Sequence, residues 1–199
     1  MDSKFLIYFG LALLITAILQ GLQAYGRSRI FRSLSEYLQK GEFDKFDELI
    51  NKPLTGMLYD RYNVQFMKLN AAFMKGDKDQ IEETLKGFND LQMNLKQQKA
   101  LYEKAFYYYV STENQEMATK CYEKLKEIDP DENEMIETFY DTYVLKGNKY
   151  LDKTLEKVEK ANDLQKQGVY TLLADMYKNA GDKENEKKYR KLLKDLNKQ

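Results

Sequence analysis

The sequence predicts an all-α protein: a solenoid of about five stacked helix-turn-helix units behind one N-terminal transmembrane helix. Three observations predict it. Tyr109, Tyr143 and Tyr177 stand 34 residues apart, and four residues after each comes a turn position: Glu113, Gly147 and Gly181. A period of that length, broken at mid-unit, marks units that cannot bury their apolar faces alone and must stack. Ahead of them, Phe5–Gly26 runs for 22 residues without Asp, Glu, Lys or Arg. No segment alternates apolar and polar residues long enough to suggest a strand.

The uncharged run comes first in the chain. At about 1.5 Å of helical rise per residue it reaches roughly 33 Å, enough to cross a hydrocarbon core of about 30 Å. Its densest part, Phe5 to Leu19, is 15 residues long, so a cleaved signal and a buried core helix stand beside the uncleaved anchor as readings. No lipobox cysteine is present, Leu22-Gln23-Ala24 is a poor cleavage site, and arginines follow at once; these features favour the anchor. Arg27, Arg29 and Arg32 follow the run, whereas Lys4 before it is offset by Asp2, so the arginine-rich flank marks the cytoplasmic side. The same three arginines are the expected headgroup contacts. Tyr8 and Tyr25 stand near the two ends, where aromatic rings favour the interface. Ala17 and Gly21 form a small-xxx-small pair through which two spans could associate. The organisation expected is a tail and anchor over 1–26 and a repeat domain over 27–199, in a single-pass cell-membrane protein whose repeats face the cytoplasm.

The repeats centre on Lys40-Gly41, Lys75-Gly76, Thr112-Glu113, Lys146-Gly147 and Ala180-Gly181, with spacings of 35, 37, 34 and 34 residues. Four residues before the second member of each pair stands Tyr37, Ala72, Tyr109, Tyr143 or Tyr177. Glycine supplies the backbone freedom that a tight helix-to-helix turn needs. The third unit lacks it, and there Thr112 and Gln115 are expected to form a capping box for the next helix. Leu101, Ala105, Tyr108, Tyr109 and Thr112 recur at helical steps, as do Leu172, Leu173, Met176, Tyr177 and Ala180. A last helix over 182–198 keeps one apolar edge, Tyr189, Leu192, Leu193 and Leu196, and a charged outer face suited to capping a stack. Residues 29–40 are expected to continue the membrane helix.

In the third unit Tyr102, Tyr109, Ala118, Tyr122 and Pro130 fall at relative positions 0, 7, 16, 20 and 28. That spacing resembles the tetratricopeptide repeat, whose membrane-anchored bacterial members the whole chain is similar to. The last unit keeps Tyr170, Ala174, Tyr177 and Gly181 but carries Glu186 at the small-residue position, and the first two units diverge. The resemblance implies a concave groove lined by the first helix of each unit. Carried over by position, it implicates Asn70 and Phe73, Tyr107 and Val110, Asp141 and Val144, Asp175 and Lys178, with Phe66, Glu103 and Glu137 one turn earlier. Members that clamp chaperone C-termini use Lys and Asn at such places, whereas here Phe66, Tyr107, Glu103 and Asp141 occupy most of them. An aromatic and acidic groove suits a peptide or protein partner bearing basic and apolar side chains.

Composition narrows the chemistry. Lysine plus arginine and aspartate plus glutamate number 32 each, so no net field points to nucleic acid. Histidine is absent, which removes the commonest general base and most zinc sites. Cys121, the one cysteine, falls inside a repeat's second helix and reads as a small buried hydrophobe. Asp129, Asp131 and Asn133 have the spacing of calcium-loop ligands, but Glu134 stands where the loop needs glycine; Asp129 capping a helix that begins at Pro130 is the simpler reading. The expectation is therefore a non-enzymatic, membrane-tethered scaffold with no catalytic residue, cofactor or metal. An extracytoplasmic chaperone or translocon-associated factor is the alternative, and a hydrolase using paired carboxylates the enzyme reading.

Overall fold

The computed structural model describes residues 3–130 and 134–196, with side chains from residue 15 onward. Among the described residues every regular element is helical and none is a strand. The chain forms two compact units, Met1–Met93 and Asn94–Gln199.

The first unit holds α1 (Ser3–Gln39), α2 (Phe43–Ile50), α3 (Pro53–Leu58), α4 (Arg61–Lys75) and α5 (Lys78–Lys86). Helix α1 is unbroken through Gly26, so residues 29–39 do continue the apolar run. Ile15, Ile18, Leu19, Leu22 and Tyr25 are exposed on it, so this part of the run is not packed into the chain's own core. The side chains of residues 5–14 in that run lie outside the described residues. Among the described residues no helix is long and apolar enough to cross a membrane. Further along, Ile30 and Leu34, one turn apart, pack against Phe46 and Ile50 of α2 and Ala71 of α4. Asp60 and Asp77 open α4 and α5 by accepting from the backbone N–H groups of Asn63 and Gln80.

The second unit holds α6 (Leu95–Ser111), α7 (Gln115–Ile128), α8 (Glu134–Phe139), a π-helical turn (Tyr140–Val144), α9 (Leu151–Lys160), α10 (Asp163–Asn179) and α11 (Lys183–Leu196). Reciprocal capping boxes start the two long first helices, Asn94 with Gln97 and Asn162 with Gln165. Ala118, Cys121 and Leu125 are buried along α7. The apolar edge foreseen on α11 is packed: Tyr189, Leu192, Leu193 and Leu196 meet Tyr170, Leu173 and Ala174 of α10. Asn197 and Lys198, placed in that helix from the sequence, lie outside the described residues.

Four of the five turns fall where the period puts them and share one closure. The carbonyls of Tyr37, Ala72, Tyr109 and Tyr177 accept from the N–H five residues on, at 2.8, 3.3, 2.9 and 2.9 Å. The residue between, Gly41, Gly76, Glu113 or Gly181, is left-handed. In the third turn the expected Thr112–Gln115 box is not what forms. Thr112 ends α6 with its hydroxyl donating to Tyr108 O at 3.0 Å, and Asn114 caps α7 by accepting from Met117 N. Asp129 likewise ends α7 rather than starting a helix, and its carboxylate is bound by Lys99 Nζ at 3.1 Å. Residues 131–133, which carry the rest of the supposed calcium loop, lie outside the described residues.

The fourth turn departs from the rule. The π-helical turn makes it one residue wider, so Gly147 N–H closes on Asp141 O, six residues back, at 2.8 Å. The left-handed residue is then Lys146, at φ 55°, and not Gly147. Gly147 serves close approach instead: a Cβ there would collide with the Asp141 carboxylate, which accepts from Lys149 N at 2.9 Å. Gly147→Ala is therefore expected to cost about 1 kcal/mol by displacing that acceptor. Lys146→Gly should gain roughly 0.5–1 kcal/mol by relieving the left-handed lysine. Urea unfolding of both variants checks this; the opposite ordering would refute the assignment.

Candidate partner-binding site

Within the second unit α10 carries Gly168, and a Cβ built on it would meet nothing within 4 Å. An open cavity of about 480 Å³ lies between α8, α9 and the first half of α10. Leu164, Gly168 and Leu172, four residues apart, form one stripe of α10 along it, facing Met135 and Phe139 of α8. Thr138 and Thr154 also line it, with their hydroxyls donating to the carbonyls of Glu134 and Tyr150 one turn back. They thus satisfy their polar atoms within their own helices and leave methyl groups for the cavity. At the mouth Met135 is 49% exposed and Leu164 84%.

The rim is charged. Glu134 takes Lys157 at 2.8 Å and Lys153 at 3.0 Å, bridging α8 to α9. Hydrogen bonds from Lys157 and then Lys153 hold its carboxyl below the ordinary glutamate range. Lys160 also lines the cavity and is exposed.

Of the residues proposed from the sequence, Tyr107 adjoins this cavity. Its ring, 37% exposed, meets the Phe139 ring edge-on at 5.3 Å, and Phe139 in turn contacts Tyr143 at 5.3 Å. Burial, then the neighbouring Glu103, raises the Tyr107 phenol. The acidic positions do not form an open acidic groove, because most are engaged within the chain. Glu137 accepts from Lys126 at 2.9 Å and Tyr150 OH at 2.7 Å, which lowers its carboxyl, Lys126 first. The same bond pushes the Tyr150 phenol up to about 12. Asp141 is bound to the turn that follows it. Asp175 accepts from Tyr143 OH at 3.0 Å and Arg190 at 3.1 Å, and Arg190 also holds Glu186 at 2.9 Å. Burial and then Asp175 drive the Tyr143 phenol far above its usual range. Glu103 lies half-buried beside Lys99 and Lys126.

The remaining positions scatter. Val144 lines an open hollow together with Gln115 and Thr119 of α7, Val110 is half-buried, and Lys178 is exposed. Phe66, Asn70 and Phe73 belong to the first unit, where Phe66 joins an aromatic cluster with Tyr62 at 5.5 Å and Phe88 at 6.5 Å. Arg29 and Arg32 are exposed on α1, whereas Arg27 is tied to the chain: its Nε donates to Leu58 O at 2.6 Å.

Met135, Phe139, Leu164, Gly168 and Leu172 were not singled out from the sequence as binding residues. Their helical stripes were present in it, but stripes of that kind are usually core. Cys121 is buried, and burial pushes its thiol up to about 11, so it is no nucleophile near neutral pH. Among the described residues no group of three or more His, Cys, Asp or Glu stands ready to hold a metal ion. Comparison of the chain with protein-family models, with curated proteins and with solved structures gives no match.

Proposed function

We propose that this chain is a non-enzymatic adaptor of tetratricopeptide type, tethered to a cell membrane by its N-terminal helix, which holds a protein partner by seating an apolar side chain between α8, α9 and α10. The observation that carries this is the open apolar cavity with Leu164 and Met135 exposed at its mouth. Covering a leucine-sized side chain there contributes roughly 1.5–3 kcal/mol, a scale suited to an anchoring contact. The tetratricopeptide reading is supported by four hairpin turns in phase with the sequence period, a fifth displaced from it by one residue, and Ala118 buried at the small-residue position.

The partner chemistry differs from the basic peptide suggested by the sequence. The carboxylates that motivated it have internal partners, while Lys160 at the cavity rim favours an acidic residue beside the apolar anchor. The membrane reading is supported by the apolar side chains exposed along α1 and by the arginines after them. On that reading the repeats face the cytoplasm. Reporter enzymes fused after Gln199 test that side: β-galactosidase activity is expected, and alkaline phosphatase activity would overturn it in favour of an outward-facing protein. Filling the cavity at Gly168 tests the anchoring role: partner copurification from solubilised membranes should be lost, and undiminished copurification would count against it.

A further inference from the structure

Helix α3 is pinned to α1 at the place where the uncharged run ends. Leu58 abuts Gly26, close enough that a Cβ on the glycine would stand 3.3 Å from Leu58 Cδ1. Two hydrogen bonds lock the junction: Arg27 Nε donates to Leu58 O and Tyr59 OH donates to Arg27 O, each at 2.6 Å. On its inner side Thr55 is fully buried and donates to Leu49 O at 2.7 Å. Its other face carries Leu54 and Met57, three residues apart and 58% and 78% exposed.

Resting on the membrane reading above, we infer that α3 is an interfacial foot, which lays Leu54 and Met57 into the headgroup–acyl boundary beside the point where α1 leaves the bilayer. Position argues for lipid as the occupant. Gly26 is the last residue of the uncharged run, so α3 contacts α1 within about one helical turn of the expected lipid surface. Tyr25, exposed on the preceding residue, has the amphipathic ring that sits at that depth. Charge argues the same way: Arg29 and Arg32, exposed on α1 just beyond the run, attract anionic headgroups. Two exposed apolar side chains held rigidly at that level would fix the depth and tilt of the first repeat against the membrane.

The test uses the full chain in liposomes of phosphatidylcholine and phosphatidylglycerol, with Cys121→Ala removing the native thiol. Met57→Cys, Ile18→Cys and Glu83→Cys are spin-labelled one at a time, and collisional access to oxygen is compared with access to a water-soluble nickel chelate. The oxygen-to-nickel ratio is expected to be several-fold higher at position 57 than at position 83, and higher again at position 18. A ratio at 57 equal to that at 83, with 18 still in lipid, would overturn the foot while leaving the anchor standing. A water-like ratio at 18 as well would overturn both. Labelling the three variants with Cys121 retained, where burial shields it, must reproduce the order; a lost difference there would also count against the foot.

Discussion

Gly168→Leu is expected to abolish partner capture while leaving the protein as stable as before, or more so. Gly168 lies in the interior of α10, and a Cβ built on it meets nothing within 4 Å. Gly168 lines the cavity, so a leucine there is expected to extend over it. Removing a glycine from a helix interior gains roughly 0.5–1 kcal/mol, and the new side chain buries apolar surface as well. The partner's apolar anchor, in contrast, loses its seat. At about 1.5–3 kcal/mol for that contact, affinity should fall roughly 10- to 150-fold. Copurification and thermal unfolding, measured on the same variant, separate the two effects. Capture that persists, or a melting temperature that drops by several degrees, would contradict the assignment of this cavity.

The largest loss of stability is expected from Leu173→Ala, one residue along from the cavity wall. Leu173 is fully buried in the cluster that joins Tyr170 and Ala174 to Tyr189, with Leu151, Leu155 and Val158 of α9 and Leu192, Leu193 and Leu196 of α11 packed around it. Truncating it removes the transfer free energy of three carbon atoms and leaves a void between three helices. Leucine-to-alanine changes at such sites cost about 2–5 kcal/mol, a large part of the roughly 5–15 kcal/mol typical of a domain. Urea unfolding followed by circular dichroism should show it; a cost under about 1 kcal/mol would mean that α10 is not the keystone of this unit. Leu172, its neighbour, faces the cavity instead, so adjacent leucines on one helix have opposite roles, one holding the fold and one lining the site.

How much of this the sequence disclosed depends on which interactions are local. Four of the turns were legible because each is closed within a few residues around a left-handed position. The apolar edge of α11 was legible because helical periodicity exposes it. The facing of Glu137, Asp141 and Asp175 was not, since it depends on partners brought in by other segments: Lys126 and Tyr150, the turn N–H of Lys149, and Arg190. A strict repeat register also assumes regular helix, and the π-helical turn at Tyr140–Val144 breaks that assumption. It widens the turn by one residue, moves the left-handed position from Gly147 to Lys146, and sends Asp141 into its own loop. Asp141→Lys would damage that turn and cannot report cleanly on binding, whereas Gly168→Leu can.

The most direct test is photo-crosslinking from the cavity mouth in native membranes, with a benzophenone amino acid at position 164 of the full chain. The account predicts one discrete protein adduct, with the crosslinked partner residue in an apolar segment, that disappears when Gly168→Leu is added and is not formed from a control position on the charged face of α11, Lys187. An adduct that survives Gly168→Leu, or that forms equally from position 187, would contradict it.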